Sequence, residues 1–140
     1  MEKNVAIKES KMGLEVPLVV SRIFENCLYS GFFGRIDSER IKVVTEHMLE
    51  SVDSYDSDYV IIDLSNIDLI DSAVATHLAK ISISLKLSGV EVVLCGIRGV
   101  VAQTMAVIGV ELNRFTVAKD LSKALNIVYD MSGYQLVKKS

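Results

Sequence analysis

The sequence predicts an α/β fold, a mixed and mostly parallel sheet with helices packed on it, opened by a β-hairpin. Three observations predict it. Apolar, β-rich runs at 59–64, 90–95 and 115–117 alternate with segments whose apolar residues recur at helical spacing, and such alternation implies parallel crossovers. Two further β-rich runs, 18–24 and 27–33, flank the tight turn Glu25-Asn26. Half of the 140 residues are hydrophobic, enough to bury the core of one domain and too short a chain for two.

Each element has its own signal. Residues 1–15 are polar without a clear period and read as an N-terminal arm or edge strand. Pro17 opens the first strand at an edge position, where a missing N–H is tolerated, and Gly34 closes the return strand. Asp37 or Ser38 caps a helix whose apolar face is Ile41, Val44, Met48, Leu49 and Val52, with Lys42, Glu46 and Glu50 turned away. The next strand ends at Leu64 and is apolar almost throughout, which predicts cover on both faces. A helix from Ser72 places Ala73, Val74, Leu78, Ile81 and Leu85 inward and stops at Gly89. A strand at 90–95 follows, then a short helical pattern at 100–110 broken by Gly109. The strand at 115–117 leads to a helix capped by Asp120, with Leu121, Ala124, Leu125 and Val128 on one face. The domain is expected to span 16–132, with a polar tail over 133–140 that is basic at its end.

Composition excludes several functions. Fifteen basic and 18 acidic residues leave a formal charge of −3, and the basic residues are scattered, so neither nucleic acid nor an anionic membrane is an expected partner. The start of the chain lacks the apolar core of a signal peptide, and no apolar run is long enough to span a bilayer; a cytoplasmic protein is expected. Cys27 and Cys95 lie in apolar blocks and read as buried reduced thiols. With only His47 and His77 beside them, no zinc set can be assembled, and neither a metal nor a cofactor is expected.

The functional signal is concentrated in 66–78, where a buried strand passes into a helix at Asp71-Ser72. The free N–H groups and positive dipole end of a helix start favour a side-chain oxygen, and favour a phosphate as well. Asp71 or Ser72 is therefore either a plain N-cap or a modification site. In α/β sheets, sites lie at the C-terminal ends of strands, where Asp71-Ser72 and Gly96-Ile97-Arg98 both fall. Catalysis has little support. The chain has no Gly-x-Ser-x-Gly elbow, no Walker loop and no dinucleotide fingerprint, and His77, five residues past Ser72, is turned away from that hydroxyl. Asp63 at a strand end suggests a phospho-aspartate receiver, yet Phe24-Glu25-Asn26 lacks the acidic pair that binds magnesium in receivers. A structural hydrogen bond is the better role for Asp63.

Gly34-Arg35-Ile36-Asp37, Val60-Ile61-Ile62-Asp63-Leu64-Ser65 and Ile70-Asp71-Ser72-Ala73-Val74-Ala75 together resemble the core of the STAS family, the anti-sigma-factor antagonist domains. Leu94-Cys95-Gly96-Ile97-Arg98 followed by Val101-Ala102-Gln103-Thr104 resembles the stressosome branch of that family, and the likeness runs from about Val16 to about Tyr129. The resemblance implies the STAS fold and a phosphoacceptor at Ser72, beside Asp71, modified by a GHKL-type serine/threonine kinase that the protein sequesters and releases. Members with a second site imply Thr104, for which a helix hydroxyl bonded to its own backbone is the competing role. Asp68, Asp71, Ala73, Thr76, Gly96, Ile97 and Arg98 then form the phosphosite environment and partner surface. Sensor paralogues with STAS domains and self-association into a large complex are further implied partners.

Departures from the pattern refine this. Ala73-Val74-Ala75 lacks the glycine usual in sporulation-type antagonists, and Gly99 stands where many relatives have proline, which loosens the start of the next helix. About fifteen residues before the first strand do not hold the sensory domain of the sensor paralogues, so the resemblance is to the single-domain scaffold type. A STAS module for another partner, such as a nucleotide, a transporter or a lipid-transport component, is the alternative.

Overall fold

The computed structural model of the chain describes residues 18–109 and 115–140. The expected arm over 1–15, the opening at Pro17 and the end of the helical pattern at Val110 lie outside them. The elements run β1 (Leu18–Phe24), β2 (Cys27–Gly34), α1 (Ser38–Tyr55), β3 (Tyr59–Ile67), α2 (Ser72–Leu87), β4 (Glu91–Cys95), α3 (Gly99–Val107), β5 (Thr116–Ala118) and α4 (Leu121–Met131).

The five strands lie in sequence order, β1-β2-β3-β4-β5. The hairpin β1–β2 is antiparallel and every later pair is parallel, as the alternation predicts. Because the strands advance in one direction and such crossovers are right-handed, α1, α2 and α3 fall on one face of the sheet. That face holds the main core, including Phe32, Ile41, Met48, Ile62, Leu64, Leu78 and Leu85. The opposite face is left for α4, which covers Cys27, Ile61, Val93, Cys95 and Ala118 with Ala124 and Val128. Val60 to Leu64 in β3 are accordingly buried on both faces, each large side chain contributing roughly 1.5–3 kcal/mol.

Local chemistry sets the helix starts. Asp37 Oδ1 accepts from the Arg40 amide at 2.9 Å, Asp71 Oδ1 from Val74 at 2.8 Å and Asp120 Oδ1 from Lys123 at 3.0 Å. The amide of Arg40 and the Arg40 guanidinium hold the Asp37 carboxyl below its ordinary range. Gly89, at φ +90°, ends α2, with its amide on Lys86 O and that of Val90 on Leu85 O.

Two predicted core positions are corrected. Leu49 is exposed in α1, where His47 and Ser51 are buried instead, and in α2 Ala75 rather than Ala73 faces inward. Periodicity locates the centre of a buried stripe, whereas its flanks depend on the neighbouring helix, and α2 packs between α1 and α3. Ser51 and Ser82 are accommodated by donating to the carbonyls of His47 and Leu78 one turn earlier. Beyond α4 the chain stays on the protein: Phe24 meets Tyr129 and Tyr134 edge to face, at 4.9 and 5.3 Å between ring centroids.

Candidate functional site

Parallel strands β3 and β4 release their following loops at one end of the sheet, and these loops meet. Ile67 at the end of β3 and Ile70 in the β3–α2 connection are buried and act as anchors, which turns Asp68 and Leu69 outward. Asp71 is the N-cap of α2 and Ser72 its first residue. The cap therefore belongs to the aspartate. Ser72 is exposed, and among the described residues its hydroxyl makes no hydrogen bond, while its carbonyl accepts from Thr76 Oγ1 at 2.9 Å. First-turn amides have no intrahelical acceptor, so the ground beneath the hydroxyl is electropositive.

The β4–α3 loop is seated by Gly96. Its φ is +70°, and a Cβ there would stand 2.7 Å from Ser65 Cβ, 2.8 Å from Asp63 Oδ1 and 2.9 Å from Ser65 N. Only glycine lets this loop lie against the end of β3. Ile97 is half-buried against the main core, and Arg98 reaches back to Asp68 with Nη1–Oδ1 at 3.0 Å. Both partners are well exposed, so the pair contributes below about 1 kcal/mol and serves to tie the loops together. Arg98 precedes α3 without a side-chain cap, and Gly99 is the first helical residue.

Asp63 lies beneath this surface and is 6% exposed. It accepts from Tyr29 Oη at 2.7 Å and from the Ser65 amide at 3.0 Å. Burial, then the bond to Asp63, push the Tyr29 hydroxyl above its ordinary range, and burial followed by Asp63 pushes the Cys95 thiol to about 12. Asp63 is a structural anchor of the site floor. Gly31 makes this possible, since a Cβ there would meet the Tyr29 ring and hydroxyl at 2.6–3.0 Å.

The structure thus brings Asp68, Asp71, Ser72, Ala73, Thr76, Gly96, Ile97 and Arg98 to one end of the sheet. Thr104 is placed within α3, its hydroxyl donating to Val100 O at 3.2 Å, and Thr76 is likewise bonded to its own helix. Sequence reasoning missed Leu69 and Val100, 55% and 51% exposed beside Asp68 and Arg98, which give the charged loops an apolar component. An apolar residue next to a loop aspartate was the only available signal. Among the described residues no helix is long and apolar enough to cross a membrane.

Residues 20–124 match the STAS domain family. The chain is 31% identical over 137 residues to the RsbT co-antagonist protein RsbRA of Bacillus subtilis, covering 97% of this chain and 49% of that protein. It therefore spans about half the length of that relative. A solved structure of Moorella thermoacetica RsbS, in a serine-to-glutamate variant, superposes with a TM-score of 0.74 at 22% identity, over 83% of this chain and 97% of the other. A structure described as the stressosome, a signal integration and transduction hub, gives 0.66 at 24%, over 81% and 98%. At these identities the structural likeness shows a shared fold.

Proposed function

The chain belongs to the STAS-domain family, and from that premise we propose that it is a stressosome-type scaffold that sequesters a GHKL-type serine/threonine kinase and releases it when phosphorylated at Ser72. One observation supports this above the others. Asp71 caps α2, which leaves Ser72 exposed with a hydroxyl that makes no hydrogen bond among the described residues. A serine whose cap is supplied by its neighbour has no local structural duty to explain it. The description of the relative as a co-antagonist of RsbT supports antagonism of a partner protein as the activity. No catalytic role is assigned to the chain; the chemistry is done to it.

The surface for the kinase is the first turn of α2 with Asp68, Leu69, Ile97, Arg98 and Val100. Phosphorylation would add roughly −1.5 to −2 charges there. The helix start tolerates that charge, whereas Asp71 and Asp68 repel it, and Arg98 is already committed to Asp68. A partner face fitted to a neutral serine would lose its fit. Thr104 is a second acceptor in this scheme, available once its bond to Val100 is given up. Sensor paralogues and further copies of the chain are the proposed co-assembly partners of the domain over 16–132.

Intact-mass and peptide mass spectrometry of the protein from its native cells, before and after stress, tests the switch. Phosphate gain on Ser72 is expected. The kinase so identified should bind Ser72→Ala persistently and Ser72→Asp weakly; equal affinity for both refutes the proposal and leaves a binding module for another partner.

A further inference from the structure

The helices on the main face of the sheet differ in charge, and the difference falls between neighbours. The outward side of a surface helix is ordinarily charged and polar. Yet α2 has only Lys80 and Lys86 as charged residues, and α3 has none. By contrast α1 exposes Glu39, Glu46, Glu50 and Asp53 against Lys42, its other basic residue, Arg40, being held by Asp37 at 3.1 Å.

Apolar side chains stand in the same surface. Leu49 on α1 is 38% exposed, and Ile83 and Leu87 on α2 are 41% and 84% exposed. Ser72, Thr76, Ile83 and Leu87 fall within about 60° of arc at about 100° per residue, opposite the buried Val74, Leu78, Ile81 and Leu85. Leu49 leans toward α2, since it lines a cleft with Ser84, Leu85 and Ser88. An exposed apolar surface that is acidic on one helix and basic on the next is complementary to a second copy of itself.

The levels of these residues agree with such a pairing. Gly34 of β2 pairs with Ile67 of β3, and α1 and α2 begin four and five residues later, so the two helices start nearly level and run back from the same end of the sheet. Glu46 lies eight residues past Ser38 and Lys80 eight past Ser72, about 12 Å along each helix. Leu49 and Ile83 each lie eleven residues in, about 16 Å along. Lys42 falls level with the uncharged Thr76, so like charges are not set against each other.

We propose that two copies of the chain pair through this face about a twofold axis that runs parallel to the helices in the groove between α1 and α2, laying α1 of each protomer over α2 of the other. Glu46 then meets the partner's Lys80, and symmetry makes the same pair a second time. The two Leu49 side chains meet at the axis, and α1 of the partner covers Ile83 and Leu87. The contact is centred on Leu49 and Ile83, which leaves Ser72 at its rim. Two helices about 25 Å long and 10 Å wide give a footprint of roughly 500 Å² per protomer, below the roughly 800 Å² of a standard interface, so the pair is micromolar rather than nanomolar. This gives a surface to the co-assembly with further copies proposed above and rests on that part of the reading, not on the switch at Ser72.

Sedimentation velocity of the full chain over a concentration series tests the pairing. A monomer–dimer equilibrium is expected. Glu46→Lys alone and Lys80→Glu alone should each weaken it roughly tenfold or more, because each sets two like-charged pairs face to face. An equal mixture of these two variants should pair again, since one protomer of each kind brings lysine against glutamate at both positions. Leu49→Asp should weaken pairing without rescue, and Lys123→Glu on α4 should leave it unchanged. A chain that stays monomeric at millimolar concentration, single reversals without effect, or a mixture that fails to pair overturns the proposal. So does a larger assembly that persists in both reversals. Kinase binding does not enter these measurements, so loss of the pairing leaves the Ser72 switch standing, and loss of the switch leaves the pairing standing.

Discussion

Replacing Gly96 by alanine tests the seat of the β4–α3 loop directly. Two costs arise. At φ +70° an L-residue carries a left-handed backbone penalty of roughly 1–2 kcal/mol. The new methyl would also stand under 3.0 Å from Ser65 Cβ, Asp63 Oδ1 and Ser65 N, one of them backbone and one a buried carboxylate held by Tyr29. Forcing a methyl into such a site typically adds about 1–3 kcal/mol. The control is Gly89→Ala, where φ is +90° but nothing lies within 4 Å, so that only the backbone penalty applies. Urea unfolding of both variants against the unaltered chain separates the terms, with a slope on the order of 1–3 kcal/mol per molar. Gly96→Ala is expected to lose about 3 kcal/mol in all and Gly89→Ala about half of that. Equal losses would refute the reasoning, because the close approach of Gly96 to β3 would then have no energetic reality.

Three further outcomes are expected. Asp71→Ala should cost about 0.5–2 kcal/mol in the same assay while Ser72→Ala leaves stability within about 0.5 kcal/mol, since the cap bond to Val74 belongs to the aspartate; the reverse order would return Ser72 to the role of a cap. Cys27 and Cys95, both pushed by burial from 9.0 to about 12, should resist an aromatic disulfide reagent at about pH 8 and react fully once unfolded. With folded values raised above unfolded ones, their stabilising contribution is fully present below pH 9.0 and is lost as pH rises through about 12, because the unfolded thiols release protons that the native ones retain. Urea midpoints that stay level from pH 9.0 upward would contradict this.

Some of the protein is set by residues near one another in the chain. Asp37, Asp71 and Asp120 each cap a helix through an amide three residues on, Glu25-Asn26 turns the hairpin, and Gly89 stops α2. The alternation of strand-like and helix-like segments implied parallel crossovers, and the order of strands in the sheet agrees. Such features rest on backbone geometry and on bonds that span a few residues, so composition and spacing disclose them. Asp71-Ser72 was visible as a helix start for the same reason; which of the two does the capping was not.

The remainder was decided by the stacking of crossovers. Asp68 meets Arg98 across 30 residues because consecutive parallel strands deliver their loops to one end of the sheet, and Tyr29 meets Asp63 across 34 because β2 and β3 pair side by side. The burial of Ala75 in place of Ala73 and the exposure of Leu49 follow from where neighbouring helices lie. The sequence alone determined the secondary elements and the helix-start serine. The surface around that serine exists only once the sheet has brought distant loops together, since no periodicity along one segment encodes the position of another.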